Sequence, residues 1–139
     1  MPEKTKLEFD VISRRLREIE FPEVDLVVAI LRGGLLPAFL VAHQLGGIPV
    51  KILGIRHRDD DNEPLHEHPV ETVPFDGEDV RPGTRILLVD DVIVSGKTVE
   101  VAMEQLKSYE VTTFSLKGKG DIVAFPEIHG CVHWPWNER

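Results

Sequence analysis

Ile86-Leu87-Leu88-Val89-Asp90-Asp91-Val92-Ile93-Val94-Ser95-Gly96-Lys97-Thr98 is the stretch on which the fold turns. Its first four residues are apolar without alternation, the pattern of a strand buried on both faces in a parallel sheet. Two adjacent carboxylates do not belong in a dry core, so the strand is expected to end at Asp90-Asp91. A small-residue loop follows. Val99, Ala102, Met103 and Leu106 then fall at helical spacing. A helix start rich in Gly and hydroxyl residues offers free N–H groups and the positive end of a dipole, which suit a phosphate. Acids beside it suit sugar hydroxyls or a divalent cation. A solvated Asp-Asp turn after a buried strand is the alternative for the acids alone. The full order of strand, acids, loop and helix favours a sugar-phosphate site. Gly96-Lys97-Thr98 is not the end of a P-loop, because the required first glycine would fall at Asp91.

Working outward, a second unit repeats the plan. Leu26-Val27-Val28-Ala29-Ile30-Leu31 reads as a buried strand that breaks at Arg32-Gly33-Gly34. A helix follows, with Pro37 in its first turn and Gly46-Gly47 after its end. Two strand–loop–helix units then present their corners to one sheet edge, where open α/β sheets bind ligands. Arg32 is the strong anion binder of the second corner, beside the N–H groups of Gly33 and Gly34. The other reading makes this corner only a tight turn.

Thr5 to Glu8 has capping-box spacing, and Leu7, Val11, Ile12, Leu16 and Ile19 form one stripe, which predicts a helix over about 6–19. Further strands are expected at 50–55, 111–116 and 121–125, and the helix after the acidic strand at about 97–109. Residues from Arg56 to Val80 are charged, proline-containing and poorly periodic, which predicts a hood or lid. His57, His66 and His68 lie there, and solvated or packing roles outweigh a zinc site. Lys117-Gly118-Lys119-Gly120 makes a basic corner. The tail holds both tryptophans, Trp134 and Trp136, which either dock on the protein or wall a flat ring.

A chain of 139 residues fits a single domain, 1–139, with a hood from about 56–80 and a tail at 126–139. A formal charge of −8 makes nucleic acid an unlikely partner through the general surface. No apolar run reaches the ~20 residues of a membrane span. Met1-Pro2-Glu3-Lys4 has no apolar signal core, and Cys131 is the single cysteine, so a cytoplasmic location is expected.

These residues resemble a type I phosphoribosyltransferase. Ile86 to Thr98 is similar to the family's motif for 5-phosphoribosyl 1-pyrophosphate (PRPP). Ala29 to Pro37 resembles its pyrophosphate loop, most closely that of xanthine–guanine and archaeal purine enzymes, and Pro135-Trp136 resembles their tail. The resemblance implies an α/β fold with a mainly parallel central sheet flanked by helices, and a small hood. It implies an enzyme that moves phosphoribosyl from PRPP to a nucleobase and releases pyrophosphate, with Mg2+. By this likeness Asp90, Asp91 and Arg32 are catalytic. Asp90 and Asp91 hold the ribose and the metal. Val94, Ser95, Gly96, Lys97 and Thr98 cradle the 5′-phosphate. Leu31, Arg32 and Gly33 bind pyrophosphate, with a cis peptide at Leu31–Arg32. Lys117, Val132 and Trp134 face the base. The expected base is a 6-oxopurine: xanthine, guanine or hypoxanthine. Val94 stands where such enzymes carry a third acid, and Cys131 where they carry a stacking aromatic. Adenine, uracil and orotate enzymes lack that acid. The alternatives are an enzyme for another base, or a noncatalytic PRPP or nucleotide sensor of the same fold. Relatives are commonly dimers or tetramers, so a homodimer or homotetramer is expected.

Overall fold

The computed structural model describes residues 5–56 and 69–137. The chain runs through β1 (Thr5–Lys6), α1 (Phe9–Glu18), β2 (Leu26–Leu31), α2 (Leu35–Gln44), β3 (Val50–Arg56), β4 (Val70–Val73), β5 (Arg85–Ile93), α3 (Lys97–Gln105), β6 (Glu110–Gly118), β7 (Ile122–Val123) and β8 (Val132–His133). A 3-10 turn, Pro135–Asn137, follows. Six strands form one sheet in the order β4-β3-β2-β5-β6-β7. Every neighbouring pair in it is parallel except β3 with β4. The expected α/β fold with a mainly parallel sheet is therefore the fold observed.

The absence of alternation in β2 and β5 has a direct structural cause. Val27, Ala29, Leu87 and Val89 face one cluster with Ile12 and Leu16 of α1 and Ala38 and Val41 of α2. Their strand neighbours Val28, Ile30, Ile86 and Leu88 face a second cluster with Ala102 of α3 and Leu106. Both faces are dry along Leu26–Ile30 of β2 and Ile86–Val89 of β5, so those runs are apolar throughout.

Three expectations change. β5 does not stop at the acids but runs on to Ile93. β6 continues to pair with it there, Asp90 opposite Ser115, Val92 opposite Lys117 and Ile93 opposite Gly118. Ladder partners beyond the acids carry the strand past them, and the carboxyls find N–H donors on their own strand. The first helix starts at Phe9 rather than near Lys6, because Thr5–Lys6 pairs in parallel with Val132–His133. The Thr5 N–H donates to the Cys131 carbonyl at 2.9 Å and the Leu7 N–H to that of His133 at 3.2 Å. Glu8 precedes the helix with no side-chain cap bond. Trp134, expected at the base, is 4 % exposed within the first core cluster. It stacks on Trp136 with ring centres 5.4 Å apart and planes 4° apart. Burial in the core takes the area that a base would cover.

Within 56–80, where a hood is expected, Val70–Val73 forms β4, antiparallel to β3. Residues 57–68, with His57, His66 and His68, lie outside the described residues, and beyond β4 Phe75 and Val80 pack against the second core cluster.

Candidate active site

The site is assembled where β2 ends beside the acids of β5. The register of the two strands sets Ala29 opposite Val89, so the Arg32-Gly33-Gly34 corner, which begins three residues after Ala29, comes against Asp90 and Asp91, one and two residues after Val89. The Leu31–Arg32 peptide is cis, as the resemblance implies. A Cβ at Gly33 would lie 2.5 to 2.6 Å from the carboxylate atoms of Asp91. One at Gly34 would strike the Val89 carbonyl oxygen and reach within 3.1 Å of the Asp90 Cα. The corner closes through Gly34 N–H donating to the Ile30 carbonyl, 2.9 Å, and Leu35 N–H to that of Arg32, 3.1 Å, and runs into α2. Arg32 stands exposed at the rim.

Asp90 and Asp91 are half-buried. Asp90 Oδ1 accepts the Asp91 N–H at 2.8 Å and Asp91 Oδ1 accepts the Val92 N–H at 2.7 Å. Burial pushes the Asp90 carboxyl well above the usual carboxylate range, and the adjacent Asp91 charge pushes it the same way. Two acids at ~4 Å repel by about 4 kcal/mol at an effective dielectric of ~20, so a cation or a sugar hydroxyl shared between them lowers the energy of the pair. Among the described residues no group of three or more His, Cys, Asp or Glu side chains could hold a metal. The pair instead fits Mg2+ in its usual protein setting, one or two carboxylates completed by substrate oxygens and water.

Beyond Ile93 the chain turns through Val94-Ser95-Gly96 into α3. Gly96 adopts φ +86°, a conformation glycine takes without a Cβ penalty. Ser95 Oγ accepts the Lys97 N–H at 3.3 Å. Open N–H groups of the first helical turn, with the Ser95 and Thr98 hydroxyls, make a cradle that a phosphate fits. Val94 is 73 % exposed on this loop.

The third side is the end of β6. Lys117 lies opposite Val92, one strand from the acids. Gly118, with φ +99°, passes so close to β5 that a Cβ would strike the Ile93 carbonyl oxygen. The Lys119 N–H donates to that same carbonyl at 2.9 Å, and Ser115 Oγ–H to the Lys119 carbonyl at 2.6 Å. Val132 is half-buried and packs on the cluster that also holds Val92. Thus the strand ends gather Leu31 to Gly33, Asp90, Asp91 and Lys117 at one edge, and α3 begins there with Gly96 to Thr98. Trp134 belongs to the core. Gly34 and Gly118 matter as close-approach positions that the sequence reading did not separate from ordinary turns. Their signal was a glycine doublet and a glycine between two lysines at strand ends.

Residues 6–117 match the phosphoribosyl transferase domain family. This chain belongs to that family. Within it, a xanthine-guanine phosphoribosyltransferase of Roseobacter denitrificans is 30 % identical over 119 residues, which cover 80 % of this chain and 67 % of that protein. An adenine phosphoribosyltransferase of Acidothermus cellulolyticus is 32 % identical over 97 residues, covering 68 % of this chain and 55 % of that protein. The chain thus spans between about half and two-thirds of the curated relatives it matches. A purine phosphoribosyltransferase of Pyrococcus horikoshii superposes with a TM-score of 0.73 at 28 % identity, over 98 % of this chain and 95 % of that one. Among the described residues, no helix is long and apolar enough to cross a membrane.

Proposed function

We propose that this phosphoribosyltransferase-family chain transfers the 5-phosphoribosyl group of PRPP to a purine base and releases pyrophosphate. One observation carries the reading: the Arg32-Gly33-Gly34 corner lies directly on the Asp91 carboxylate. A pyrophosphate held at the corner and a ribose held by the acids would then share the C1–O bond that breaks. In this reading Leu31, Arg32 and Gly33 hold the departing pyrophosphate. Asp90 and Asp91 hold the ribose hydroxyls and place negative charge near the cationic ribose of the transition state. Val94 to Thr98 hold the 5′-phosphate. Mg2+ carried on the pyrophosphate would supply charge neutralisation, with Asp90 and Asp91 the residues to hold it.

For the base we propose a 6-oxopurine. The Lys117 ammonium only donates hydrogen bonds, so it pairs with a ring carbonyl oxygen and not with the amino group of adenine. Val132 is the apolar neighbour. The names of the relatives include both xanthine-guanine and adenine enzymes, so the bases must be tested separately.

The test is pyrophosphate release from PRPP with xanthine, guanine, hypoxanthine, adenine, uracil and orotate. Turnover is expected with a 6-oxopurine, lost on chelation and restored by Mg2+. Asp90→Asn and Asp91→Asn should each lower kcat by about 10²- to 10³-fold. Full turnover in both variants would overturn the assigned roles. PRPP or nucleotide binding without turnover on any base would replace the enzyme with a sensor. A homodimer or homotetramer is proposed, and sedimentation would check it.

A further inference from the structure

Arg15, on α1, has partners that helix stability does not call for. Its guanidinium forks onto Glu127, Nη1 to Oε1 at 2.9 Å and Nη2 to Oε2 at 2.7 Å. Nη1 also donates to the Ala124 carbonyl at 2.7 Å. The guanidinium carbon stands 4.4 Å from the centre of the Phe125 ring. One side chain therefore holds Ala124, Phe125 and Glu127, all more than 100 residues away in sequence. Such a planar, bidentate and stacked arrangement fixes geometry in a way that an ordinary surface ion pair does not.

The place of that turn gives the contact its meaning. The Ala124 and Phe125 N–H groups donate to the Ser115 and Leu116 carbonyls, at 3.0 and 2.8 Å. The chain thus leaves the sheet beside Leu116, one residue from Lys117. From there it becomes the tail that carries Val132. Arg15 grips it at the point of departure. α1 is itself fixed to α2, since Gln44 Nε2 donates to the Leu16 carbonyl at 2.6 Å. α2 begins at the Arg32-Gly33-Gly34 corner. α1 and α2 thus form the anchored side of the clamp, and the tail is the side that Arg15 holds.

We infer that Arg15 is a positioning residue for the base side of the site: it sets where the tail bearing Val132 stands relative to Lys117. This rests on the proposed function for its kinetic consequence, and on the structure alone for the clamp itself. The acids and the phosphate cradle lie on other elements and do not depend on it.

The experiment compares Arg15→Leu, Arg15→Lys and Glu127→Gln with the wild-type chain, well below their melting temperatures. Arg15→Leu keeps an apolar stem and removes the fork. It should raise KM for the base by about tenfold, within what a small misplacement costs, with KM for PRPP unchanged. Arg15→Lys should fall between, because an ammonium keeps one bond but not the fork. Glu127→Gln should shift KM for the base in the same direction. Amide hydrogen exchange, which needs no turnover, should quicken over 126–134 in Arg15→Leu and stay unchanged in β2 and β5. A merely structural arginine would lower the melting temperature and leave both KM values alone, and that result would overturn the inference. So would a parallel rise of both KM values, or unchanged exchange in the tail. A wild-type chain that turns over no base would sink the proposed function instead, with the exchange result still deciding whether Arg15 sets the tail.

Discussion

A methyl group added at Gly33 would land 2.5 Å from Asp91 Oδ1. That contact is shorter than any real Cβ shows, and both sides of it are proposed to touch substrate. Gly33→Ala is therefore expected to push the pyrophosphate corner off the acids, and kcat/KM should fall by about 10²-fold, the cost of roughly an ångström at a reacting centre. Steady-state kinetics beside a thermal melt checks this, and a variant with full activity would show that the corner can move freely. Gly96 illustrates a different need. Nothing lies within 4 Å of its absent Cβ, so only its φ of +86° calls for glycine. At this scale the sequence was informative, because each glycine stood beside residues whose chemistry named the site. It did not say which glycine is needed for space and which for its torsion, since that depends on the neighbouring strand.

At the scale of elements, two carboxylates tie segments together at opposite ends of the sheet. Asp25 joins the start of β2 to the start of β5, accepting from the Arg85 N–H, Nε and Nη2 at 3.0, 3.1 and 2.8 Å. Arg85 holds the Asp25 carboxyl down at about 2, and Arg15 does the same for Glu127, also to about 2. Both groups bind protons more tightly in the unfolded chain than in the folded one. Their contribution to stability is thus complete above the usual carboxylate range and is lost as pH falls towards 2. The urea midpoint should drop between pH 5 and 2, and less steeply in Asp25→Asn and in Glu127→Gln. An unchanged slope would show that these bonds do not persist in solution. The elements themselves were largely legible: β2, β5, α2 and α3 follow from local apolar runs and glycine stops. Their ends were not. β5 outran its acids and α1 gave up its first turn, in each case because another strand supplied hydrogen-bond partners.

For the molecule as a whole, the tail is part of the core. Trp134 sits with Phe114, Leu116 and Phe125 in the cluster beneath α1 and α2, and β8 closes on β1 at the other terminus of the chain. Trp134→Ala should therefore cost about 3 to 5 kcal/mol, as other large core truncations do, measured by urea unfolding. A loss under about 1 kcal/mol would return Trp134 to the surface and to the base.

Taken by itself, the sequence determined the layered α/β sheet, and it named the strand ends, acids, glycines and hydroxyls from which the proposed site is built. Those properties depend on neighbours a few residues apart, and burial on both faces of a strand leaves an unbroken apolar run. Only the tertiary structure decided that Gly33 rests on Asp91, that Arg15 grips Glu127 and that Trp134 is buried. Each of those contacts joins segments far apart in the chain, and their meeting is set by strand order and helix packing rather than by any local pattern.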